Sequence, residues 1–350
     1  MEYILANGGV NTVKSRYNFN LYVLTLLFKI LLYYVRSIEL MTLYKCGCLQ
    51  NNDRDFTLID SKPVSHRHHY VPQFYLREWR DEDRKGVWLY KRNTANQITF
   101  RRRSPKSIGY VKDLYSLKPE TKWPVLNYDA DAIEKSFFSP IDDAAASVHQ
   151  KLISSGVNSL SSQDRLDWAL FLNSLIERNP KRINEIEQGY SGEEIKQQLI
   201  ERWGKSEVFE NIDISAIQHN AIRSALAYYI ADGTFVSYIA NMRWATIQTT
   251  IKGEHFLTGD TPLLINGGME GNPIHLLSIA LSPQKLMILH TDSEEFNEDF
   301  LRRLSFLHNI GIVDITQKYL ISSRELKDAA CTKYLKAINE RLNTPSMPNI

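Results

Sequence analysis

The hydrophobic pattern changes period along this chain, and the order of the changes limits the folds open to it. Segments 87–90 and 97–100 have the composition of two hairpin strands, with a turn at 93–96. Helical spacing begins near residue 129, and short strands dominate after Gly233. Strands that are grouped apart from helices favour an α+β fold over regular βαβ alternation. We predict an N-terminal helix and β-hairpin, a central helical region, and a C-terminal mixed sheet with closing helices.

Local signals predict where the central helices begin and end. Gly156 is expected to end one helix, because glycine tolerates the backbone conformation found at helix C-termini. Ser161 or Ser162 is expected to cap the next helix, with Asp164 in its first turn. That helix should stop before Pro180, because proline disfavours a helical residue immediately before it.

No convincing linker interrupts residues 64–342, so we predict one α+β domain there, preceded by an extension and linker over 1–63. The extension contains an apolar segment, 21–35, that is shorter than the roughly 20 residues of a spanning helix. Lys29 lies in its middle, which is costly at the centre of a bilayer. Three interpretations remain open: a peripheral helix, a short membrane anchor, or a chain that properly starts at Met41. The favoured interpretation is that residues 1–40 are a dispensable or mis-assigned extension.

Charge and cysteine content narrow the partners and the compartment. Net charge is +2, from 42 basic and 40 acidic residues, which is too balanced to favour non-specific nucleic-acid binding. The local exception is Arg101, Arg102 and Arg103, which form either a solvated hairpin rim or a patch for nucleic-acid phosphates. The three cysteines lack zinc-ligand spacing, and their odd, sparse count favours a reducing, cytoplasmic setting.

One long string identifies a family resemblance. Residues 68–77, which read His-His-Tyr-Val-Pro-Gln-Phe-Tyr-Leu-Arg, resemble the opening motif of the domain-of-unknown-function family numbered 4238. Shorter resemblances follow in the order expected for that family: 87–91, 113–115, 177–180, 256–262, 281–283, Asn309 and 319–323.

The resemblance covers roughly residues 64–325, and it implies no established activity. Two residues depart from the family pattern. Gly259 stands where serine is usual, and Thr261 stands where asparagine is usual. Any chemistry that depends on those two side chains would be altered in this chain.

His68 and His69 are the first candidates for chemistry. They precede a helix start at Pro72, where backbone N–H groups favour anions. Imidazoles in that position are suited to binding a metal ion or to general acid–base catalysis. The alternative is that both histidines cap the helix or pack against the hairpin.

Asp260 and Arg178 complete the candidate site. Asp260 follows a short apolar strand, which suits a metal ligand or a base, but an Asx-turn fixed by Pro262 explains it equally well. Arg178 ends a helix, where it either interacts with the helix C-terminus or grips a phosphate. If His68, His69 and Asp260 converge, they would suit a divalent metal such as Zn, Mn or Fe.

Two functional hypotheses follow. The first is a metal-assisted hydrolase, for example a nuclease, with His68, His69 and Asp260 on the metal and Arg178 on a phosphate. The second is a non-catalytic binding or defence-associated module in which the His-His-Tyr-Val-Pro motif is a structural latch. The hydrolase is the preferred hypothesis, and the aromatic residues of the motif support the alternative, because aromatic side chains dominate the energetics of a core.

Overall fold

The computed structural model describes residues 66–92, 98–118, 130–189, 191–203, 214–231, 233–249, 255–267, 274–291 and 298–326. The expectations for the extension 1–63, for the turn at 93–96 and for a final helix after residue 326 lie outside the described residues. Within them, no helix combines the length and the hydropathy needed to cross a bilayer.

The described chain runs from a group of short strands through a series of helices to a second group of strands, which the last described helix interrupts before the last strand. The helices are α1 (Gln73–Leu76), α2 (Ser139–Ser155), α3 (Ser162–Glu177), α4 (Pro180–Gln188), α5 (Gly192–Trp203), α6 (Ile214–Ile230), α7 (Gly233–Asn241) and α8 (Glu298–Ile315). The strands are β1 (Arg67–His69), β2 (Val87–Arg92), β3 (Ile98–Arg103), β4 (Tyr110–Lys112), β5 (Arg243–Gln248), β6 (Thr258–Gly259), β7 (Leu263–Asn266), β8 (Leu276–Ser282), β9 (Lys285–His290) and β10 (Leu320–Ser322).

All strand pairs among the described residues are antiparallel, which together with the helices confirms the α+β class. The strand orders are β1-β4, β3-β2-β10-β6 and β5-β9-β8-β7. In the second sheet β10 is an inner strand, which lies between the N-terminal hairpin and β6. This position of β10 brings segments near the two ends of the family match side by side.

The chain divides into two compact units: Met1–His66, Tyr115–Ile133 and Asn184–Tyr228 form one, and Arg67–Leu114, Glu134–Ile183 and Tyr229–Ile350 form the other. The prediction of a single domain over 64–342 stays a prediction.

In the smaller unit, polar contacts join α6 to two other segments. The His219 ring nitrogen Nε2 lies 2.9 Å from the Ser116 carbonyl. Arg223 forms an ion pair with Glu187.

The larger unit contains the three sheets and all of the candidate residues. Its second sheet packs against α8 through a cluster of buried side chains: Tyr90, Leu257, Ile312, Val313, Leu320 and Leu326. In its third sheet, β8 is buried almost throughout. His149 on α2 reaches the Leu281 carbonyl of β8 at 2.8 Å, and burial lowers the pKa of His149 to about 4.

The helix boundaries confirm the local sequence signals. Ser161 and Asp164 form a reciprocal capping box at the start of α3. Gly156 ends α2 with φ of 75°, a conformation that glycine adopts without steric cost. A wider π-helical turn at Glu134–Phe138 precedes Pro140, which therefore falls in the first turn of α2, where its missing N–H costs nothing.

Three features differ from the prediction. The short ladder of β1 and β4 was not predicted, because each strand has three residues and the partners are far apart in sequence. The strand expected at 255–258 is limited to Thr258–Gly259. Residues 233–241 form α7, where no helix was predicted, and the strand expected at 242–251 is β5, which begins at Arg243.

Candidate functional site

The two motif histidines lie next to each other on β1. His68 pairs with Val111 and His69 with Tyr110 in the register with β4. His68 is fully buried, whereas His69 is half-buried. Adjacent strand residues face opposite sides, so strand geometry alone gives these two imidazoles no common side. Their role as a pair of ligands stays a prediction.

The environment of His69 disfavours the charged form of its imidazole. Burial lowers the pKa of His69, backbone hydrogen bonding at Arg67 and Lys106 opposes this, and the charges of Arg67 and Arg178 lower the pKa further. Its Nε2 is buried and has no hydrogen-bond partner among the described residues. In a neutral ring whose proton is on Nδ1, Nε2 is an acceptor.

The aromatic residues that follow the histidines bind a distant segment. The Tyr75 hydroxyl lies 2.8 Å from Thr258 Oγ1, and Trp79 Nε1 donates to the Phe256 carbonyl at 3.2 Å. Both aromatic side chains are completely buried, and burial raises the pKa of Tyr75. Each polar tip therefore meets a partner inside the core, as buried tyrosine and tryptophan require. These bonds fix α1 to the chain that leads into Asp260.

A second bond network joins the motif to residue 319. The Tyr319 hydroxyl accepts the Gly109 N–H at 2.6 Å and lies 3.0 Å from the Tyr70 hydroxyl. Gly109 has φ of 72°, and a Cβ there would lie 2.8 Å from the Val71 carbonyl oxygen, so glycine is required at this contact. Burial raises the pKa of Tyr319 to about 12.

Asp260 is a buried carboxylate that holds a turn between α8 and β10. Its Oδ1 accepts the Gln317 N–H at 2.9 Å, and its Oδ2 accepts the Lys318 N–H at 2.6 Å. The residue is 2% exposed. Burial raises the pKa of Asp260 to about 6, although these two hydrogen bonds act in the opposite direction. The Asx-turn alternative named local backbone partners, whereas these partners lie 57 and 58 residues further along the chain.

Arg178 also takes part in an ion pair, and its side chain is buried. Its Nη1 donates to Asp142 Oδ1 at 2.9 Å, and its side chain is fully buried while Asp142 is partly exposed. The guanidinium also lies 5.7 Å from the ring centre of Phe138 and 5.6 Å from that of Phe171. Burial raises the pKa of Asp142, and the charge of Arg178 opposes that rise.

The chain around Asp260 is closely packed by its neighbours. Asn179 Nδ2 lies 3.5 Å from the Asp260 carbonyl and 3.4 Å from Thr261 Oγ1, which joins the end of α3 to this turn. A Cβ on Gly259 would lie 2.7 Å from Thr316 Oγ1. The position of the usual family serine is therefore adjacent to a threonine hydroxyl in this chain.

The proposed metal set gains no support from this geometry. Among the residues that the structure describes, no group of three or more His, Cys, Asp or Glu side chains is placed to hold a metal ion. The assignment of His68, His69 and Asp260 as metal ligands stays a sequence-level prediction.

The basic run on β3 is divided by its strand geometry. Arg102 forms ion pairs with Asp81 and Asp83, which lie in the loop before β2. Arg101 and Arg103 alternate with Arg102, so they face the other side of the strand, and both are exposed. The three arginines are therefore not equivalent.

Sequence reasoning missed several polar residues of the core. Asp142 and Tyr319 were not proposed as site residues, and neither was the buried pair in which Ser278 Oγ lies 2.9 Å from His308 Nδ1. Burial lowers the pKa of His308 to about 3. Only Asp142 gave a local signal. An acidic residue is favoured in the first turn of a helix by the positive end of the helix dipole, and this reason is unrelated to Arg178.

Fold and geometry define an α+β protein in which a His-His-Tyr-Val-Pro segment is bonded to the turns around Asp260 and Tyr319. Residues 67–335 match the profile of the family described as Protein of unknown function (DUF4238), and the chain belongs to that family. No curated protein and no solved structure matches the chain.

Proposed function

We propose that this chain is a non-catalytic binding protein whose motif segment is a structural latch. The latch consists of the hydrogen-bonded groups that join the motif to the C-terminal segments: Tyr70, Tyr75, Trp79, Gly109, Phe256, Thr258 and Tyr319. Asp260 holds the neighbouring turn. The hydrogen bonding of this carboxylate is the observation that carries the proposal.

Both oxygens of Asp260 accept backbone N–H groups, from Gln317 and Lys318. A metal ligand or general base needs at least one oxygen directed at the ion or the substrate. Each oxygen accepts one N–H and keeps a second lone pair, but the residue is almost completely buried, so that lone pair has little access to an ion or a substrate. This arrangement favours a role in folding over a role in chemistry.

Arg178 supports the same interpretation. A phosphate-binding arginine needs donors of its planar fork at an accessible surface. Arg178 is fully buried and donates Nη1 to Asp142, so a phosphate would have to displace the side chains that cover the guanidinium before it could bind. This inaccessibility favours a structural arginine.

Metal content and stability test the proposal together. Wild type, Asp260→Asn and His69→Ala are purified and analysed by elemental mass spectrometry and by urea denaturation. We expect no stoichiometric metal in any of them, with reduced stability in Asp260→Asn. Stoichiometric metal in wild type that is lost in a folded His69→Ala protein would contradict the proposal.

A metal-assisted hydrolase is the second candidate, and one observation favours it. His69 Nε2 has no hydrogen-bond partner among the described residues and burial lowers the pKa of the ring, and the unprotonated nitrogen of a neutral imidazole can bind a metal or take a proton. Hydrolysis of a phosphodiester is assayed with Mn, Mg and Zn for wild type, His69→Ala and the exposed control His66→Ala. Loss of activity in His69→Ala alone would favour the hydrolase, and inactivity of all three proteins would exclude it for these metals.

A further inference from the structure

The basic residues of this chain are concentrated in one segment. Residues 67–112 contain twelve Lys or Arg and four Asp or Glu, a local net charge of +8 in a chain of net charge +2. All 46 of these positions belong to the larger unit. The near-balanced total charge therefore conceals a strongly basic region and an acidic remainder.

Strand β3 carries the first pair of uncompensated cations. Arg101 and Arg103 share one side of the strand, they are exposed, and no carboxylate of the described residues pairs with either. Arg102, on the other side, is neutralised by Asp81 and Asp83. The same strand thus contains one arginine with a structural role and two without one.

The ladder of β1 and β4 carries the second pair. Arg67 and Lys112 are direct partners in its register, and both are exposed. Like charges in that position are destabilising, so the pair has no structural advantage. The Arg67 guanidinium lies 5.1 Å from the ring centre of Tyr110 on the same ladder.

Lys106 lies in the connection between the two pairs. It follows β3 by three residues and precedes β4, its side chain is exposed, and its backbone contributes to the environment of His69 on β1. Phe100, on β3, is 51% exposed and stacks against the buried Tyr90 ring. By strand alternation Phe100 lies on the Arg102 side of β3, so the region offers exposed cations on one side of the strand and an exposed aromatic ring on the other.

We infer that these five cations, which we name the basic surface (Arg67, Arg101, Arg103, Lys106 and Lys112), bind the backbone of a single-stranded nucleic acid. Guanidinium and ammonium groups neutralise phosphates, and exposed aromatic rings stack on unpaired bases. Among the described strands β3 lies at the edge of its sheet, so an extended chain along its free edge would meet Arg101 and Arg103 on one side and Phe100 on the other. This inference rests on the proposed binding function and names its partner.

Salt dependence of binding measures the contribution of each cation. The full chain is titrated into a labelled, mixed-sequence single-stranded oligonucleotide at several KCl concentrations, with fluorescence anisotropy as the readout. Five phosphate contacts predict a slope of about −3.5 for log K against log salt, because each contact on a single strand contributes about −0.7.

The decisive variant is Arg101→Gln/Arg103→Gln, and its matched control is Lys135→Gln/Lys181→Gln. The control removes the same charge from two exposed positions outside the basic segment. We expect the first variant to reduce the magnitude of the slope by about 1.4 and the control to leave it unchanged. If the first variant does not fold, Lys106→Gln/Lys112→Gln has the same expected effect.

Three results would overturn the inference: no salt-dependent binding by wild type, an equal loss in the control, or binding to anionic phospholipid vesicles without binding to the oligonucleotide. The length of the recovered oligonucleotide separates this inference from the proposed function. An intact oligonucleotide agrees with both. Cleavage contradicts the non-catalytic proposal, but the basic surface is then still supported as the binding site.

Discussion

Replacing Asp260 with asparagine tests whether its carboxylate is a buried structural group. The pKa of Asp260 is raised from its ordinary value of 3.8 to about 6 by burial. A raised pKa means that the folded state binds this proton more tightly than the unfolded chain does. Its contribution to stability is therefore fully present below pH 3.8 and is lost as pH rises through 6. Asparagine does not titrate, so the Asp260→Asn protein lacks this loss.

The size of the effect follows from linkage. A shift from 3.8 to about 6 corresponds to about 3 kcal/mol over the whole titration, and about 2 kcal/mol of it falls between about pH 4.5 and 7.5. The introduced asparagine also places an amide N–H against the N–H of Gln317 or Lys318, at a cost of about 1–3 kcal/mol. That second cost does not depend on pH.

Urea denaturation of both proteins from about pH 4.5 to 7.5 gives the difference in the free energy of unfolding, wild type minus variant. We expect this difference to fall by about 2 kcal/mol as pH rises. His149 and His308 titrate in both proteins, so their contributions cancel. Asp164→Asn is the control, because hydrogen bonding to Lys151 and Ser161 holds the pKa of Asp164 at about 2, below the range studied.

Two other outcomes would refute the reasoning about Asp260. A constant difference would mean that the carboxylate is hydrated and titrates as in the unfolded chain. A difference that increases with pH would mean that the folded protein stabilises the ionised carboxylate. The N–H groups of Gln317 and Lys318 would stabilise the ionised carboxylate in the same direction as a bound metal, so the sign of the slope reports the ionisation of Asp260 and does not decide between the two proposed functions.

Three further substitutions test the packing around the site, each by urea denaturation. Gly259→Ser should destabilise by about 1–3 kcal/mol because its Cβ meets Thr316 Oγ1, and adding Thr316→Ala should recover part of the loss; no recovery would contradict the contact. Arg178→Met should cost about 3 kcal/mol by leaving Asp142 without its ion-pair partner, and Arg178→Met/Asp142→Leu should be more stable than the single variant. Ser161→Ala should cost about 1 kcal/mol and Ser161→Thr much less, since threonine also caps; equal losses would contradict the cap.

Features that depend on neighbouring residues were predicted from the sequence. The helix cap at Ser161, the helix end at Gly156 and the β2–β3 hairpin each follow from a few consecutive side chains. Such signals determine backbone conformation within one turn or one pair of strands. For this reason the α+β class and most elements were predictable.

The partners of the candidate residues were not predictable, because each is set by tertiary packing. Arg178 and Asp142 are 36 residues apart, and Asp260 bonds a turn 57 residues away. The sequence indicated that these side chains are unusual in their positions. It did not indicate whether their polar atoms face one another, a ligand or the backbone.

The distinctive string at 68–77 does not by itself imply catalysis. Tyr75 and Trp79 each combine a large apolar ring with one polar atom, so each needs both a cavity of matching shape and one correctly placed partner. In this fold those partners are Thr258 Oγ1 and the Phe256 carbonyl, on a segment far away in the sequence. Phenylalanine would fit the cavity of Tyr75 but would leave the Thr258 hydroxyl without that bond, at a cost of about 1–3 kcal/mol. A structural latch of this kind therefore restricts its residue types as strongly as an active site does.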